Sequence, residues 1–77
     1  MTYGKMASYI LKHWPFAKEE EVKQRLRDAR ITYTRKTQDR GTLMMRRSNA
    51  RLWLAHTYEM AYKRETGKTI RVNVDIG

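Results

Sequence analysis

The chain has 77 residues, with 17 Lys and Arg against 8 Asp and Glu, a formal charge of +9 and a pI near 10.3. That length allows one domain over residues 1–77 with a small core. The absence of cysteine excludes disulfide staples and thiolate metal sites. No apolar run reaches membrane-spanning length and no signal-peptide h-region follows Met1, so the expected setting is soluble and cytoplasmic.

Tyr3, Met6, Ala7, Ile10, Leu11 and Trp14 recur at helical spacing, with Lys5, Ser8, Lys12 and His13 outside the stripe. Pro15 disfavours helical geometry at Trp14 and should end this first helix. A second helix is expected over about Ala17 to Ala29. Glu19, Glu20 and Glu21 sit in its first turns and Arg25, Arg27 and Arg30 toward its end, as the helix dipole favours. Val22, Leu26 and Ala29 form its apolar seam.

Ile31 to Thr37 is β-branched and alternating, which predicts a strand. Gln38-Asp39-Arg40-Gly41 then resembles a hairpin turn, with Gly41 supplying positive φ. Thr42 to Arg46 would return as the second strand, with Leu43 and Met45 inward. Ser48 or Asn49 would cap a third helix reaching about Thr66. Its stripe is Ala50, Trp53, Leu54, Thr57, Tyr58 and Ala61, and Gly67 would end it. Ile70, Val72, Val74 and Ile76 alternate with Arg71, Asn73 and Asp75, predicting a last strand that pairs with the hairpin.

The expected fold is therefore α+β, a small winged-helix-like domain of order α-α-β-β-α-β with a short antiparallel sheet. Val22 to Ile31 (VKQRLRDARI), Arg35 to Gly41 (RKTQDRG) and Arg46 to Asn49 (RRSN) carry a resemblance to excisionase-type winged-helix DNA-binding proteins. The resemblance covers roughly Met6 to Leu54 and rests on element order and charge placement. It implies a helix in the major groove and a hairpin gripping the flanking backbone. The acidic start of the second helix, Lys18-Glu19-Glu20-Glu21, departs from that pattern, because carboxylates beside phosphates repel.

Residues 35 to 51 hold six Lys or Arg against one acid. Such a concentration points to a polyphosphate backbone. Arg35, Lys36 and Arg40 at the expected hairpin end could neutralise phosphates or enter a minor groove. The bland alternative is that they keep a hairpin soluble and guard its edge, and contact is the favoured reading. Arg46, Arg47 and Arg51 precede or open the expected third helix, where cations oppose the dipole unless an outside anion compensates them. Lys23, Gln24, Arg27 and Arg30 share one face of the second helix and include residue types that read base edges. Against that stands an ordinary solvated face, with Glu19–Lys23 and Glu21–Arg25 at i, i+4.

Eight aromatics could stack single-stranded bases. Tyr3, Trp14, Trp53 and Tyr58, however, fall on core stripes, and no paired aromatic strands of an RNA-binding kind are present. Catalysis finds little support. His13 and His56 lie on different helices, and no Cys nucleophile, glycine-rich phosphate loop or convergent carboxylate pair is apparent. No set of three metal ligands assembles, and no cofactor is expected.

The expected function is thus a small double-stranded DNA-binding protein, a regulatory or recombination accessory factor working beside a recombinase, repressor or polymerase. An architectural, DNA-bending role fits the same features. The alternative is a phage- or plasmid-type inhibitor that docks an acidic surface of a host polymerase or nuclease. Met44 and Met45 discriminate: an exposed methionine there favours a protein-binding surface. The DNA reading requires the cations near the middle of the chain to converge on one ridge. Groups turned to opposite sides, or held by the chain's own carboxylates, would undercut it.

Overall fold

The computed structural model describes residues 1–74 and contains three helices, α1 (Tyr3–His13), α2 (Glu19–Ala29) and α3 (Arg40–Thr66). No strand occurs among the described residues, so the α+β winged-helix expectation is overturned. With no hairpin there is no wing.

The helices run up, down and up. Asp28 and Ala29 at the end of α2 meet Arg46 and Arg51 of α3, while Phe16 before α2 meets Arg64 near the end of α3. Tyr3 at the start of α1 meets Arg51, and His13 at its end meets Glu65. At about 1.5 Å per residue α3 is roughly 40 Å long and sets the 45 Å long axis of the molecule. Its first turns extend past α1 and α2, accompanied by the 30–39 linker.

Local chemistry marks four of the six helix boundaries. Thr2 caps α1, its hydroxyl accepting from the Lys5 amide at 3.2 Å. Lys12 and His13 occupy the last turn of α1, and Pro15 follows. Lys18 offers α2 no side-chain cap, and Glu19, Glu20 and Glu21 complement the dipole instead. Gly67 at φ 75° closes α3, its amide donating to the Lys63 carbonyl at 2.8 Å.

The third helix begins at Arg40, not at Ser48 or Asn49. The expected strand Thr42–Arg46 is its first two turns. Leu, Met and Arg are strong helix formers, and residues 43, 47, 50, 54, 57, 58 and 61 all lie on one helical face. Arg47 stands within that stripe, so the apolar period appears to break there although the helix continues. Asp39, at φ 55°, takes the positive-φ position assigned to Gly41, which is an ordinary helical residue. Met45 points outward, contrary to its inward assignment, and is 66% exposed; Met44 is 40% exposed.

The expected strand 31–37 is a linker. A turn closes it, with the Thr37 amide donating to the Thr34 carbonyl at 3.1 Å and the Thr34 amide to the Thr37 hydroxyl at 2.9 Å. The last expected strand keeps its alternation but has no ladder. Ile70 and Val72 pack on the core, Arg71 and Asn73 are exposed, and the Val72 amide donates to Glu59 Oε2 at 2.8 Å. This extended segment is a strap across the bundle. Asp75 and Ile76 of that expected strand lie outside the described residues.

Met6, Ala7 and Ile10 of α1, Val22 and Ala29 of α2, and Ala50, Leu54 and Tyr58 of α3 form the core. Leu11, assigned to the first stripe, is 41% exposed instead. The core's three alanines let the helices approach closely, leaving Met6, Ile10, Val22 and Leu54 as the largest fully buried side chains. So few large anchors make each one count. Leu54→Ala is expected to cost about 2–5 kcal/mol of unfolding free energy, read as a lower urea midpoint at unchanged slope.

Candidate nucleic-acid interface

Charge is distributed unevenly along the bundle. Glu19, Glu20, Glu21 and Glu65 lie at the end formed by the α1–α2 turn and the α3 C-terminus. Arg30, Arg35, Lys36, Arg40, Arg46, Arg47 and Arg51 lie at the opposite end, against Asp28 and Asp39. The cations of the chain's middle thus converge on one end of the molecule, but several are engaged by the chain itself.

Arg47 is half-buried under the linker. Its Nη2 donates to the Tyr33 hydroxyl at 2.6 Å, its Nη1 lies 3.5 Å from the Ile31 carbonyl, and its guanidinium carbon is 4.4 Å from the Tyr33 ring centre. Arg40 approaches the same ring at 5.4 Å. Arg51 donates from Nε to the Ala29 carbonyl at 2.9 Å and lies 5.1 Å from the centre of the Tyr3 ring. Helix C-termini leave carbonyls without intrahelical partners, and Arg51 satisfies one of those at the end of α2. Arg46 pairs with Asp28 at 2.9 Å. Together these arginines fasten the end of α2 and the linker to α3. They lie in the first half of α3, not at its start, so the dipole argument for an external anion does not apply to them.

On α2 the solvated face prevails. Lys23 pairs with Glu19 at 2.8 Å, Arg27 donates to Gln24 Oε1 at 2.7 Å, and Gln24 donates to Asp28 Oδ1 at 3.0 Å. The hydrogen bond from Lys23, with its positive charge, holds the Glu19 carboxyl below its usual range, and the Lys23 ammonium is raised correspondingly. Arg25 turns to the Trp53 ring at 5.3 Å rather than to Glu21. Gln24 and Arg27 are therefore exposed but already bonded to each other.

Arg30, Arg35 and Lys36 remain exposed, and among the described residues no carboxylate lies within ion-pair distance of them. The same holds for Lys5 and Lys12, which the reading of the basic segment passed over. Their signal was present in the sequence: Lys5, Ser8 and Lys12 recur at i, i+3 and i+7, outside the apolar stripe of α1.

Most aromatic rings are committed to packing. Tyr9 lies 5.0 Å from Tyr58 and 4.4 Å from His13, and burial together with Glu65 raises its phenol pKa. Tyr3, Trp14, Trp53 and Tyr62 also pack against the core, while Phe16 is 67% exposed. Among the described residues no three His, Asp or Glu side chains gather where a metal could bind, and no helix is long and apolar enough to cross a membrane.

No protein-family model, curated protein or solved structure matches this chain.

Arg47→Ala removes the ties to Tyr33 and Ile31 together with the stem that covers the linker. It is expected to lower stability by about 2 kcal/mol. Arg35→Ala, on the exposed turn, should change stability by less than about 0.5 kcal/mol. Paired urea titrations check both.

Proposed function

We propose that the protein binds double-stranded nucleic acid, DNA in particular, through its phosphate backbone and without base readout. The observation that carries this is a group of exposed cations, Lys5, Lys12, Arg30, Arg35 and Lys36 among them, with no carboxylate within ion-pair distance among the described residues. An unsatisfied cationic surface on a chain of +9 attracts a polyanion and releases its counterions. The engagement of Gln24 and Arg27 with each other argues against base reading by α2. The packing of most rings argues against a single-strand stacking platform. The reading does not depend on a wing or on an inserted helix. An accessory role beside a larger DNA-handling protein remains compatible with it.

A second reading is favoured by Met45 and Leu52, seven residues apart on the outer face of α3 and 66% and 48% exposed. That stripe suits a protein partner, as in an inhibitor of a host polymerase or nuclease.

Fluorescence anisotropy on a random-sequence duplex separates the two. Five phosphate contacts predict a log–log salt slope of about −4.5, and Arg35→Ala with Lys36→Ala should reduce its magnitude by about 1.8. Absence of duplex binding at low salt would refute the DNA reading and leave the protein-partner reading standing.

A further inference from the structure

A shallow groove of about 640 Å³ runs between α1 and α2, on the side that α3 does not line. Its lining includes Lys5, Ser8 and Lys12 from α1 and Leu26 and Arg30 from α2. Among the described residues no carboxylate lines it. Arg30 lies across the first turn of α1 at Gly4, where a side-chain carbon would come within 2.8 Å of its Nη2. The guanidinium thus lies close over the glycine, along the groove that Arg30 helps to line. Thr2 also lines the groove, and its hydroxyl accepts from the Lys5 amide, leaving its own hydrogen free to donate.

We infer that this groove seats the phosphates of one DNA strand, an assignment that rests on the duplex-binding reading above and gives it a location. Lys5 and Lys12 stand two helical turns apart, about 10.5 Å along the axis. That distance is well beyond the rise of one nucleotide step, about 3.4 Å along the duplex axis. The two ammonium groups therefore address different phosphates of the same strand, with Arg30 opposite them. A guanidinium can grip a phosphate through two parallel N–H bonds, whereas lysine acts as a point charge. Ser8 and Thr2 add uncharged donors. The lining carries no Asn or Gln to read a base edge, so the groove positions the backbone and leaves sequence unread. Concave cationic surfaces also focus field lines, which raises the local concentration of a polyanion.

The test compares two variants of equal charge on a random-sequence duplex over a range of salt. One is Lys5→Ala with Lys12→Ala and Arg30→Ala. The other is Lys63→Ala with Lys68→Ala and Arg71→Ala, on exposed positions that do not line the groove. Circular dichroism melting confirms that both fold. The groove variant is expected to reduce the magnitude of the salt slope by about 2.7 and low-salt affinity at least about tenfold. The other variant is expected to keep nearly the parental slope. Equal losses in both variants would overturn the groove while leaving general duplex binding intact. Failure of the unsubstituted chain to bind duplex would overturn the duplex reading and the groove together. A groove variant that does not fold is replaced by Lys5→Gln with Lys12→Gln, with an expected slope change of about 1.8.

Discussion

The arrangement depends on arginine side chains of α3 that reach back to the end of α2 and the linker. Arg47 binds Ile31 and Tyr33, and Arg51 binds the Ala29 carbonyl. A half-buried guanidinium offers several donors in a fixed fork and an apolar stem. It can satisfy backbone carbonyls and cover a ring at once. These ties allow a 27-residue helix to start ten residues before its first fully buried side chain, Ala50. They also take the most conspicuous cations of the chain out of the pool available to a ligand.

That division of labour changes how the basic composition relates to function. Residues 35 to 51 carry six cations, yet Arg46, Arg47 and Arg51 serve internal contacts. Arg35 and Lys36 sit outside, on an exposed turn. The groove lined by Lys5, Lys12 and Arg30 lies away from α3, while Met45 and Leu52 occupy the outer face of α3. Two chemically distinct surfaces are thus present on one small bundle. One is cationic and concave; the other is apolar and convex.

Helix positions were largely legible wherever an apolar stripe was uninterrupted. Met6, Ala7 and Ile10 mark α1, Val22 and Ala29 mark α2, and Leu54, Tyr58 and Ala61 mark the second half of α3. The first half of α3 was not, because an arginine occupies the stripe position at 47 and a glycine at 41 mimics a hairpin turn. The linker read as a strand because Ile31 and Tyr33 do share a side; what holds that side is a guanidinium and not a neighbouring strand. Alternation at Ile70 and Val72 was legible, but a period of two records a buried face without naming its cover. Here the cover is the helical bundle. For the interface, charge density was legible and the direction of each side chain was not. Lys5 and Lys12 were legible as the polar side of α1 but not as part of an interface, because they are isolated in sequence and share a groove with Arg30 only when α2 turns back along α1.

Amide hydrogen exchange over residues 43–49, in the unsubstituted chain and in Arg47→Met, tests most directly whether arginine contacts hold this segment as helix. The account predicts measurable protection in the former. In the variant, protection should fall toward that of a solvated helix while residues 54–61 keep theirs. Unprotected amides over 43–49 in the unsubstituted chain, or protection indifferent to the loss of the guanidinium, would contradict it.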